Sequence, residues 1–209
     1  MSDSVPSKSP FFPSRHLLNT YFQPVAKALK LCTDLRYNGA RNFMQQDLYC
    51  GMEVAFLHPE AIAMLVRADK ILQSLRPGFQ FCIWDALRPQ SVQVRMKEFV
   101  RGTPGEMFVA EPVPGSLHNF GMAVDLTLVD SHGRALNMGT DFDDFSELAQ
   151  PQKEPEMSAL GRLSAEQFAN RQLLRQLLEG EGFRQLPHEW WHFSASEADL
   201  VYKSKTLFR

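Results

Sequence analysis

The chain has 209 residues, with 24 acidic against 22 basic and a formal net charge of −2. That length predicts one domain around one core, and a charge so near zero offers no electrostatic pull on nucleic acid or an anionic membrane. Six His stand beside three Cys; this excludes an all-Cys zinc site and a complete disulfide framework, so a bound metal must be held by imidazole and carboxylate.

Residues 1–13 are rich in Ser and Pro and read as a flexible arm before a domain over 14–209. They show no basic stretch followed by an apolar core of the kind a secretory signal carries. The apolar run at 61–66 is far shorter than the roughly 18 residues of a membrane span. The expected location is the cytoplasm, with Cys32, Cys50 and Cys82 as buried or half-buried free thiols.

A helix is predicted over 59–75, where Ala61, Leu65, Ala68 and Leu72 recur at spacings of three and four. Pro77 and Gly78 end it. Residues 79–84 read as a buried strand and 89–101 as a second helix opened by Pro89. The Pro- and Gly-rich stretch 102–115 reads as a long loop, a feature more often functional than idle. A strand follows over 122–129, with a turn at 130–133. Residues 137–155 are acidic and loop-like. An amphipathic helix is expected over 164–178, with Ser164 and Gln167 as its capping box. Residues 183–185 and 190–193 are short strand candidates. Helices and strands that do not alternate regularly predict a single α+β domain with a mostly antiparallel sheet. No phosphate-cradling Gly loop is present.

Two segments carry metal-site chemistry, one from Ser116 to Asp125 and one from His188 to His192. His118, Asp125 and His192 offer two imidazoles and a carboxylate. Catalytic zinc takes three protein ligands and leaves the fourth position to water, which then becomes acidic enough to attack an amide. Gly121 lets the backbone turn between His118 and Asp125. Glu189 lies three residues before His192, a spacing that puts the two on opposite faces of a regular strand. To face the metal, Glu189 must sit in a bend after Pro187, where it would serve as a general base. His16, His58 and His132 read as non-ligands, His58 at a helix start and His132 in a turn. Trp190 and Trp191 read as core aromatics, or as a wall of a small dry pocket. On spacing alone, a metal site and a chance grouping of polar residues both stay open.

The motifs together resemble the VanX-type D-alanyl-D-alanine dipeptidases. Ser116, His118, Gly121, Ala123 and Asp125 match S-x-H-x-x-G-x-A-x-D, and Glu189, Trp191 and His192 match E-x-W-H. Trp84 to Pro89 is similar to the family's aspartate–arginine–proline motif, and Asn137 to Asp143 to its methionine–glycine segment ending in Phe-Asp. Asp34 to Tyr37, with Asn42 and Phe43, resembles its opening motif. The resemblance runs from about Leu31 to Phe193.

It implies the fold shared with cell-wall D,D- and L,D-carboxypeptidases and hedgehog signalling domains. It also implies one zinc per chain, held by His118, Asp125 and His192, and a small dipeptide substrate, D-Ala-D-Ala. Glu189 becomes the general base and Arg88 the group that stabilises the oxyanion, with Asp85 orienting Arg88. Asp143 and Tyr37 take the substrate ammonium and Ser116 its carboxylate. Taken singly, Asp143 belongs to an acidic run, Ser116 to a loop and Arg88 to a surface; the shared context raises them. The alternatives are a D,D- or L,D-carboxypeptidase trimming peptidoglycan stem peptides, and a non-catalytic zinc module of the same fold. The pattern specifies no oligomeric state.

Overall fold

The computed structural model describes residues 21–208. The expected N-terminal arm and His16 lie outside them. Among the described residues the α-helices are α1 (Pro59–Leu75), α2 (Gln90–Val100), α3 (Glu154–Ala159), α4 (Ala165–Glu179) and α5 (Ala198–Ser204). The strands are β1 (Gln23–Pro24), β2 (Cys32–Thr33), β3 (Phe56–Leu57), β4 (Gln80–Asp85), β5 (Ala123–Val129), β6 (Arg184–Gln185) and β7 (His192–Ser194). Among the described residues no helix is long and apolar enough to cross a membrane.

The main sheet has the order β2-β4-β5-β7-β6. Its β2–β4 pair is parallel and its other pairs are antiparallel. This is the mostly antiparallel α+β architecture that the pattern predicts. Strand β5 is buried along its whole length, which explains why its sequence reads as a continuous run broken only by Asp125 and Thr127. Helix α1 lays Ala61, Leu65, Ala68 and Leu72 into the core. His58 caps it, its ring nitrogen accepting from Glu60 N–H at 3.3 Å. Ser164 and Gln167 form the predicted capping box on α4.

The register of the sheet sets the site. Asp85 pairs with Asp125, and Asp125 with His192, so three polar side chains share one rung across β4, β5 and β7. Directly opposed residues of an antiparallel pair point to the same face. The alignment depends on an irregularity in β4. Ile83 pairs with Leu126, yet Asp85 pairs with Asp125, so Trp84 is an extra residue on that strand. Such a bulge re-aims the side chains beyond it.

Two expectations change. Cys32 and Cys82 are not free thiols; they occupy paired positions on the parallel strands β2 and β4 and form a disulfide. Cys50 remains free and half-buried. Trp190 and Trp191 fall in the turn before β7, outside the strand expected over 190–193, and both are fully buried. The loop over 102–115 carries a short 3-10 turn, Pro104–Phe108, and the acidic stretch from 137 ends in α3.

Candidate active site

His118 sits in a 3-10 turn, Leu117–Phe120, closed at its start by Ser116 and Asn119 as a capping box. Gly121 ends that turn in the left-handed region at φ 63°. A Cβ there would also lie 2.7 Å from the backbone nitrogen of His58, so no other residue fits. The turn delivers His118 over β5, where Asp125 and His192 already stand side by side. His118 Nε2 lies 3.1 Å from His192 Nδ1 and 3.3 Å from Asp125 Oδ1, and His192 Nδ1 lies 2.9 Å from Asp125 Oδ1. Ligands on a tetrahedral ion with bonds of 2.0–2.2 Å are separated by about 3.3–3.6 Å, and the three atoms stand at or a few tenths of an ångström inside that spacing.

The outer ring nitrogens fit it as well. His118 Nδ1 donates to the Ala86 carbonyl at 2.7 Å, which leaves a lone pair on Nε2 facing inward. His192 Nε2 lies 3.3 Å from Ser194 Oγ. Three electron-rich atoms converge in a buried place, an arrangement that calls for a cation. Burial would raise the Asp125 carboxyl, but the neighbouring imidazoles of His118 and His192 hold it well below the ordinary range.

Glu189 lies in the turn that follows Pro187, as its spacing to His192 requires, with His192 N–H donating to the Glu189 carbonyl. Its Oε2 is 3.9 Å from His192 Nδ1. Burial pushes its carboxyl up to about 8; His192 works against that shift, and Asp125 and Asp143 add to it.

Arg88 is buried and held from three sides. Its Nε and Nη2 donate to Asp85 Oδ2 at 2.9 and 2.6 Å, and its Nη1 to Gln93 Oε1 at 2.9 Å. Its guanidinium lies 5.1 Å from the centre of the Tyr37 ring. Asp85 in turn accepts from Tyr49 Oη and from the Ala86 N–H. The expected Asp85–Arg88 pairing is therefore present, and Arg88 Nη2 lies 3.8 Å from Asp125 Oδ2.

Asp143 adopts a left-handed φ of 58°. Its carboxylate accepts from Tyr37 Oη at 3.1 Å and from the Phe43 N–H at 3.1 Å. Burial pushes it up to about 7, against the pull of the Phe43 hydrogen bond. Ser116 Oγ accepts from the His118 N–H at 3.3 Å and so acts as a helix cap. One cavity of about 250 Å³ is lined by Tyr37, Arg88, Ser116, His118, Asp125, Asp143, Glu189 and His192. Asp85 lies behind it. Trp191 lines the cavity, whereas Trp190 stands behind it in the core. Phe108 and Phe145, from opposite loops, stack at 5.0 Å and also line it.

Sequence reasoning missed Gln93. It joins Arg88 to the long loop by donating to the Ala110 carbonyl at 2.8 Å, beside Gln90 on Pro112 and Lys97 on Val109. The available signal was its place in the first turn of a helix that starts immediately after Arg88-Pro89. Ser194 and the Ala86 carbonyl were also missed; a carbonyl leaves no mark in a sequence.

A model of peptidase family M15, D-ala-D-ala dipeptidase, matches residues 20–207. The D-alanyl-D-alanine dipeptidase of Escherichia coli (strain K12) is 34% identical over 165 residues, 79% of this chain and 79% of its own. The Synechocystis protein of that name is 27% identical over 179 residues, 71% of this chain and 72% of its own. The Enterococcus faecalis one is 26% identical over 150 residues, 64% and 70%. With its site geometry and a match over nearly its whole length, the chain belongs to the D-ala-D-ala dipeptidase family of M15 peptidases.

Proposed function

We propose that this protein hydrolyses D-alanyl-D-alanine to two D-alanines, with one zinc ion held by His118, Asp125 and His192. The observation that carries the reading is the shared cavity: the three converging ligand atoms, Glu189, Arg88 and the half-buried Asp143 all face one small space. When bound there, zinc supplies the positive charge that acidifies a water and polarises a carbonyl. Glu189 takes the proton from the attacking water and passes it to the leaving amine. Arg88 faces the oxygen that gains charge as the peptide carbon becomes tetrahedral, a contribution of about 3–4 kcal/mol in comparable sites. Asp85 and Gln93 keep its fork aimed.

Asp143 is the feature of a dipeptidase. Its half-buried carboxylate accepts from an OH and an N–H, and a free ammonium supplies the missing charge. A longer peptide presents an uncharged amide nitrogen at that place. Tyr37 orients the carboxylate, and Ser116, which lines the same cavity, would meet the substrate's other end. Because the free carboxyl is held near 7, it must lose its proton to pair with the ammonium, so binding weakens as pH falls. The KM for D-Ala-D-Ala should therefore rise below about pH 7, approaching about tenfold per pH unit. Asp143→Asn should have a high KM with that acid limb gone; an unchanged limb would assign it to another group.

Amino-acid release from D-Ala-D-Ala, D-Ala-D-lactate and a stem pentapeptide, with zinc-loaded enzyme, tests the whole reading. Free D-Ala should appear from D-Ala-D-Ala and be chelator-sensitive, and the pentapeptide should stay intact. Trimming of the pentapeptide with D-Ala-D-Ala left whole would mark a carboxypeptidase. No turnover of any of them at full zinc occupancy would mark a binding module.

A further inference from the structure

Behind the cavity lies an ionic network that the chemistry above does not use. Arg171 and Arg175 stand one turn apart on α4, and both reach Glu154 at the start of α3. Arg175 Nη2 is 2.7 Å from Glu154 Oε2, and Arg171 Nη1 is 3.5 Å from Oε1. Arg171 and Glu154 are almost fully buried, an arrangement that costs desolvation and is weak evidence for stability as its purpose.

The remaining bonds of the network run to two segments of the site. Arg171 Nε donates to the Met138 carbonyl at 2.7 Å, and its guanidinium lies 5.6 Å from the centre of the Trp190 ring. Trp190 Nε1 donates to Thr140 Oγ1 at 2.8 Å. Arg175 Nε donates to Gln185 Oε1 at 2.5 Å, and Gln185 Nε2 to the Trp190 carbonyl at 2.7 Å. Gly139 is pressed between them at φ 91°, and a Cβ there would lie 3.0 Å from Leu163 and 3.4 Å from Arg171 Nη2. The segment from Met138 to Thr140 leads to Asp143. Trp190 follows Glu189 directly and comes two residues before His192.

We propose that Arg171 is a positioning residue for substrate recognition: by binding Met138 and Trp190 at once, it fixes Asp143 relative to the Glu189–His192 segment. This inference rests on the reading of Asp143 as the ammonium anchor. Asp143 has no regular strand or helix around it, so its place must be set from outside. Arg171 sets it through a backbone carbonyl and an aromatic face, contacts that a lysine's point charge does not reproduce.

A double-mutant cycle tests it, with KM and kcat for D-Ala-D-Ala measured on zinc-loaded enzyme. Arg171→Met should raise KM about tenfold and leave kcat within about threefold. Asp143→Asn should raise KM about a hundredfold. If Arg171 acts through Asp143, the double variant should match Asp143→Asn alone within about threefold. A purely structural role would multiply the two effects, and that result overturns the inference. An unchanged KM in Asp143→Asn would overturn the anchor reading and, with it, this inference. Should Arg171→Met not fold, Arg171→Lys runs the same cycle, since it keeps the charge beside Glu154 and loses the fork that joins Met138 to Trp190. A KM rise of about threefold that vanishes in the Asp143→Asn background supports the inference; no rise overturns it.

Discussion

Glu189→Gln should lower kcat for D-Ala-D-Ala by about 10²- to 10⁴-fold, with zinc content and fold unchanged. The amide has the size of the carboxyl and makes the same turn, because Glu189 is held there by its backbone, with its N–H donating to the Leu186 carbonyl. What it loses is the ability to take a proton. Glu189 Oε2 is 3.9 Å from His192 Nδ1, too far to share the ligand cluster yet near enough to reach a water beside it. Glu189 is also absent from the atoms that converge for a metal. Metal analysis and single-turnover rates on the same preparation separate the two roles. A variant that loses zinc would make Glu189 a ligand, and one that keeps full turnover would remove it as base.

His192→Ala should cost both the metal and the activity. The variant should purify with little zinc, and added zinc should restore turnover to chelator-treated native enzyme but not to it. One of three ligand atoms goes, and Asp125 loses the imidazole 2.9 Å from its Oδ1. The strand itself should survive. Phe193 stays buried in the core, and the β5–β7 pairing runs through backbone bonds that an alanine keeps. Unfolding curves of the two metal-free proteins should therefore be similar, whereas added zinc should raise the midpoint of the native one alone. Full zinc occupancy in the variant would take His192 out of the ligand set.

The legible parts of this molecule are those whose cause is local. Helix α1 announces itself through Ala61, Leu65, Ala68 and Leu72, because packing one face on a core needs that spacing. The bend at Glu189 could be inferred from the two-residue period of a strand, which forbids Glu189 and His192 on one face. The triad was legible as motif residues, and the sheet register explains why they meet. The disulfide was not legible: β2 has two residues and no periodicity, and its parallel neighbour β4 lies fifty positions away. Arg171 was not legible either, since an arginine on an amphipathic helix reads as solvated. Its burial depends on Glu154 and on the chain from Met138 folding back over it, which is tertiary information.

The shared rung of Asp85, Asp125 and His192 also limits how such a site can change over evolution. Side chains alternate faces along each strand, so one residue inserted or deleted within β5 would turn Asp125 away from His192 and break the ligand set in a single step. Trp84, the extra residue of β4, is absorbed as a bulge that keeps Asp85 on the rung, so an added residue in a strand is compatible with the site only where a bulge resets the register. Length changes in the loops that border the cavity leave this rung intact, whereas those in the strands must be absorbed by a bulge to keep it. The loops can thus alter the shape of the cavity while the register of the sheet keeps its polar rung together.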